Sequence, residues 1–232
     1  MATRRKTRRQ QQETIVDIVD AKEKAQDIFE QNQKLIMAVL GGIALIVGGY
    51  FAYRFMILQP KEREATEQIF QAELQFERDS FELALLNPGG GYSGFLDIID
   101  RYKGTKAANL ARYYAGISYL HLGKFDAAIS YLNDFNPSGS VTPIMKYGAM
   151  GDATSEQGQF DQAISHYRKA VNASDNNFLT PYYLKKLGLL YEKEGDYQAA
   201  VKTFEQIKED YAKSQDGYNI DKYIERAAAY LN

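Results

Sequence analysis

The spacing of apolar and polar positions changes character once along the chain. From Leu35 to Tyr53, nineteen residues follow one another without a charge, and the apolar Phe55 to Leu58 continue beyond Arg54. At 1.5 Å of rise per residue, nineteen helical residues extend about 28 Å, close to the roughly 30 Å hydrocarbon core of a bilayer. A membrane-spanning helix is therefore predicted over residues 35–58. Gln59-Pro60 marks its exit, because proline removes a helix donor and restricts the residue before it. Beyond this point apolar residues recur at helical spacing among charged ones. A helix is predicted over residues 61–86, with Ile69, Phe70, Leu74 and Phe76 among its apolar positions, ending at the breaker cluster Asn87-Pro88-Gly89-Gly90-Gly91. A short helix over residues 93–102 follows. Upstream, residues 13–34 hold few breakers and place Ile15, Ile18 and Val19 at helical spacing, which predicts a partly amphipathic helix leading into the span.

From residue 109 the pattern repeats. Gly116, Gly151 and Gly188 are each followed three residues later by Tyr119, Thr154 and Tyr191. Seven residues after each first glycine stands another (Gly123, Gly158, Gly195), two further on an aromatic (Phe125, Phe160, Tyr197), and three beyond that an alanine (Ala128, Ala163, Ala200). The offsets of 35 and 37 residues and the residue types resemble tetratricopeptide repeats, whose units are pairs of antiparallel helices about 34 residues long. In that pattern the first glycine lets helix A approach helix B, and the second ends helix A in a tight turn. The alanine lies where helices cross, and Leu132, Tyr167 and Phe204 fill the remaining space. Thr154 departs from the aromatic position, Phe135 and Ile207 replace the small residue that Ala170 supplies, and the usual proline at the end of each repeat is missing from its place. The expected fold class is all-α: a single N-terminal transmembrane helix followed by a tetratricopeptide-repeat α-solenoid. Its parts are a basic tail (1–34), the span (35–58) and a repeat domain (59–232). Within that domain the repeats cover about 109–140, 144–177 and 181–212, with a capping helix at 220–231 and the helices of 61–102 packing as partial repeats.

Charge sets the orientation. Residues 1–34 carry eight basic and six acidic groups, whereas Lys61, Glu62, Arg63 and Glu64 just past the span are mixed. Lys/Arg excess in short segments stays cytoplasmic, so the N-terminus is expected inside and residues 59–232 on the far side of the membrane. A cleavable signal peptide would have a shorter apolar core and a small-residue cleavage site; the bulky Tyr50-Phe51-Ala52-Tyr53 suits an interface belt instead. Thr3-Arg4-Arg5-Lys6 resembles a twin-arginine signal, yet no apolar pair follows it. The basic run is read as a topology determinant touching anionic lipid heads rather than as a nuclear or nucleic-acid patch. Residues 59–232 hold nineteen basic and twenty-four acidic groups, a poor match to a phosphate backbone. The chain has no cysteine, which excludes disulfides, thiolate metal ligands and cysteine nucleophiles.

Catalytic patterns fail their own tests. The glycine run has neither a preceding strand nor a following Gly-Lys-Ser/Thr. His121 and His166 fall in different repeats without companions at ligand spacing. Gly91-Tyr92-Ser93-Gly94 lacks the spacing of a nucleophile elbow. No enzyme activity, cofactor or metal is expected.

Binding is the expected role, because solenoids present a concave surface built from helix A. The repeat register places Tyr113, Ile117 and Leu120, then Asp152 and Ser155, then Lys185, Leu189 and Glu192 on that face, apolar at one end and charged at the other, suited to an extended segment or an amphipathic helix. Tyr113 with Ile117 and Lys185 with Leu189 do not supply the basic residue and asparagine of a carboxylate clamp. In the span, Ala44, Gly48 and Ala52 recur every fourth residue, a small-residue face through which a partner helix or a second copy of the chain can approach.

Phe29-x-x-Asn32-x-Lys34 before the glycine-rich span, Tyr53-Arg54-Phe55 after it, and the repeats through Leu231 together resemble the YfgM-like ancillary subunits of the bacterial SecYEG translocon. That resemblance implies translocon subunits or periplasmic chaperones as protein partners, alongside the lipid bilayer and without nucleic acid. The longer, more basic tail departs from the family's pattern, so its contacts do not transfer. The alternative is a membrane-tethered adaptor for envelope assembly or cell division.

Overall fold

The computed structural model describes residues 30–231, so the basic tail and most of the helix expected over residues 13–34 lie outside the described residues. The chain divides into two units, residues 1–59 and 60–232. In the first, helix α1 (residues 30–53) runs into a π-helical turn, Arg54–Leu58. The helical stretch Glu30–Glu77 is long and apolar enough to cross a membrane. Its apolar side chains stand exposed, Leu45 at 79% and Ile46 at 74%.

The second unit is all-helical, with no strand among the described residues. Its elements are α2 (Gln59–Glu77), α3 (Phe81–Leu86), α4 (Phe95–Arg101), α5 (Lys106–His121), α6 (Phe125–Asp134), α7 (Thr142–Glu156), α8 (Phe160–Ala173), α9 (Leu179–Lys193), α10 (Tyr197–Asp210) and α11 (Asp221–Ala228). Helices α5/α6, α7/α8 and α9/α10 are the three repeat pairs.

Each pair turns in the same way. The N–H groups of Lys124, Gln159 and Asp196 donate to carbonyls five residues back, on Tyr119, Thr154 and Tyr191, at 2.8, 2.9 and 2.9 Å. The intervening Gly123, Gly158 and Gly195 have φ of 68°, 73° and 80°. This is a Schellman termination, with a left-handed residue that a side chain would strain. The first glycines act by proximity: a Cβ on Gly116, Gly151 or Gly188 would lie 2.6, 2.5 or 2.3 Å from Leu132, Tyr167 or Phe204. Ala128, Ala163, Ala170 and Ala200 are fully buried at the crossings. Thr154 keeps its aromatic-type position buried by donating its hydroxyl to the Met150 and Gly151 carbonyls at 2.9 and 3.1 Å.

The single helix expected over residues 61–86 is two. Asp79, at φ 57°, ends α2 in the same Schellman geometry, with Ser80 N–H donating to Gln75 and Asp79 N–H to Phe76 at 2.9 and 3.0 Å. Aspartate tolerates the left-handed region better than most side chains, so the break occurs without the glycine that announces the others. Ala65, Ile69 and Ala72 of α2 are buried in one hydrophobic cluster with Phe95 and Ile98 of α4 and Ala108, Ala111 and Ala115 of α5. The Glu62 carboxylate of α2 accepts from the Lys106 and Ala107 N–H groups at 2.7 and 3.0 Å. A negative charge there satisfies orphan donors and complements the helix dipole. Between the first two repeats, the buried Lys146 donates to the Asn133 and Phe135 carbonyls at 2.9 and 2.8 Å. It thereby closes the C-terminal end of α6. Burial pulls its amine below the usual lysine value, against the pull of Asp134.

Candidate protein-binding groove

Helices α5, α7 and α9 line a groove of about 630 Å³. Leu120 and His121 come from the end of α5, and Phe125 from the start of α6. Asp152, Ser155 and Glu156 come from α7, and Lys186, Leu189 and Lys193 from α9. Helical periodicity explains the set: Asp152 and Glu156 are four apart, and Lys186, Leu189 and Lys193 are spaced by three and four, so each series shares one face.

Asp152 is the hub of the groove. Its Oδ1 accepts the Tyr167 hydroxyl and the Lys186 ammonium, both at 2.7 Å, and the two charged side chains are 23% and 31% exposed. Lys186 Nζ also lies 4.9 Å from the Tyr182 ring centroid. Burial works against the Lys186 charge, but Asp152, followed by Tyr182, outweighs it and holds the amine above its ordinary value. Tyr167 is raised by burial, then by Asp152, and Tyr183 by burial first and Asp152 second. Burial pushes Tyr113 up to about 12, with Tyr114 and Asp152 adding to it.

Those shifts fix a direction. For each tyrosine the folded chain keeps a proton that the unfolded chain loses near pH 10, so unfolding gains on folding as pH rises above that value. Lys186 adds to this, because stability from its raised amine is fully present below its unfolded value and lost above it. The repeat unit is expected to hold its far-UV circular dichroism up to about pH 10 and to lose it towards pH 12. The tyrosinate absorbance contributed by Tyr113, Tyr167 and Tyr183 should appear in the same step. Smooth ionisation of all tyrosines near pH 10 with the helices intact would contradict it.

Of the positions projected from the repeat register, Leu120, Asp152, Ser155 and Leu189 line this groove. Tyr113 and Ile117 are half-buried against Leu132, Ala149 and Met150. Lys185 donates to Asp216 at 2.9 Å. Glu192 is engaged by Arg226 of α11, whose Nε donates at 3.0 Å. The last two residues thus face the C-terminal segment. Ala44, Gly48 and Ala52 lie in α1, and beyond the adjoining helix backbone nothing comes within 4 Å of a Cβ built on Gly48.

The register did not single out Lys186, although a lysine facing an aspartate across neighbouring helix A elements is the signal that would have found it. Phe125 and Tyr167, read as framework positions, also reach the groove. His121 stacks on Phe81, ring centroids 4.4 Å apart and planes 2° from parallel, so this histidine packs at the rim.

Residues 110–136 and residues 143–213 each match a family model described as a tetratricopeptide repeat. No curated protein matches the chain. The groove is thus built on the helix A faces of repeats whose usual role is binding other proteins, and the chain is an all-helical protein carrying tetratricopeptide repeats behind a helix long and apolar enough to span a membrane.

Proposed function

We propose that the protein is a non-enzymatic, membrane-anchored scaffold whose repeat unit holds a segment of another protein on the outer side of a bacterial inner membrane. The observation that carries the reading is the open groove across three helix A elements. Its lining combines the apolar Leu120 of α5 and Leu189 of α9 with the acidic Asp152 and Glu156 of α7 and the basic Lys186 and Lys193 of α9. Such a groove suits an amphipathic segment carrying charges at its edges. The resemblance of the span's flanks to translocon-associated subunits supports SecYEG and periplasmic chaperones as the setting, and the excess of basic residues before the span supports an N-terminus inside.

Affinity purification of the full chain from mild detergent, with mass spectrometry, tests the reading. Translocon subunits and periplasmic folding factors should be enriched over an unrelated single-span control, and their absence would overturn the setting. Because the chain lacks cysteine, Asn177→Cys reports topology directly. An impermeant thiol reagent should label it in intact spheroplasts, and protection there would reverse the orientation.

A further inference from the structure

The aromatic end of the apolar run contains a single cation. Arg54 is the only charged residue between Leu35 and Gln59, and the π-helical turn begins at it. Gln59 N–H donates to the Arg54 carbonyl, five residues back. A wide turn of this kind shifts the angular register of the side chains that follow, and it occurs often at functional positions. The Arg54 guanidinium donates to the Tyr50 hydroxyl at 3.3 Å. As acceptor of that bond, the hydroxyl keeps its own proton to donate elsewhere. Tyr50 is 55% exposed, and Phe51 and Phe55 stack beside it with centroids 6.1 Å apart.

A guanidinium at the edge of hydrocarbon with no carboxylate in its run is costly to leave unpaired. Its planar fork matches phosphate oxygens bidentately, and tyrosine rings settle at headgroup level. We propose that Arg54 and Tyr50 bind the phosphate of an anionic phospholipid at the C-terminal end of the membrane span, fixing the depth of the helix. This rests on α1 being a membrane anchor.

The test reconstitutes the purified full chain in phosphatidylcholine vesicles containing a minor share of phosphatidylglycerol. The protein is then released in mild detergent, and the phosphatidylglycerol retained per chain is counted by native mass spectrometry. The wild type should retain about fivefold more than Arg54→Gln. Tyr50→Phe should fall between them, and Arg54→Lys, which keeps the charge but lacks the fork, should recover only part. Equal retention by Arg54→Gln, with the variant floating with the vesicles as the wild type does, overturns the lipid site alone. A wild-type chain that does not float with the vesicles overturns the anchor and the lipid site together.

Discussion

Phe204→Ala is expected to destabilise the repeat unit by about 3–5 kcal/mol. Phe204 is fully buried in α10 and lies against the bare face of α9, where a Cβ on Gly188 would stand 2.3 Å from its ring. Removing the ring forfeits its transfer free energy and leaves a cavity between two helices that cannot fully close. The mirror change, Gly188→Ala, forces a methyl into a ring that has no room to retreat and should cost about 1–3 kcal/mol. The two changes occupy the same space, so the double variant should be less destabilised than the sum, the new methyl filling part of the void. Urea melts of the full chain in mild detergent, followed by far-UV circular dichroism, provide the comparison. Additivity within about 0.5 kcal/mol would show that the contact is not what joins α9 to α10.

Asp152→Ala is expected to cost about 2–3 kcal/mol, below the range for a fully buried pair because both charges retain some exposure. One substitution removes the acceptor for both the Tyr167 hydroxyl and the Lys186 ammonium, leaving a phenol and a cation without their partner between α7, α8 and α9. Lys186→Met in the same chain should restore much of the loss, since the remaining penalty is largely that of the abandoned charge. Asp152→Asn, which still accepts from Tyr167, should fall between. If Asp152→Ala melts within about 0.5 kcal/mol of the wild type, the hub does not couple the repeats.

Much of the repeat unit could be read in one dimension because its rules are local. A glycine seven residues after another, followed by an aromatic and an alanine, specifies a close helix contact, a left-handed turn and a crossing, and each requirement acts within one helix pair. The break at Asp79 escaped the same reading because its left-handed residue is an aspartate rather than a glycine, and the turn and N-cap signal of Asp79-Ser80 is weaker than a glycine cluster. The groove was legible only in part. The register put Asp152 and Leu189 on the helix A face, yet it weighed Lys185 where the structure turns the adjacent Lys186 towards Asp152.

The amino-acid sequence by itself determined the all-helical class, the tetratricopeptide periodicity and the presence of one helix able to cross a bilayer, because helical spacing, steric exclusion at glycine and an uncharged run are properties of short stretches. Tertiary structure alone decided how much of the helix A surface stays open. The segment after α10 returns to α9, where Asp216 takes Lys185 and Arg226 engages Glu192 across 31 and 34 residues. Asp152 meanwhile reaches across 34 residues to Lys186. Pairings over such separations depend on how the helices stack, and no local pattern encodes which charge on a face will find its partner.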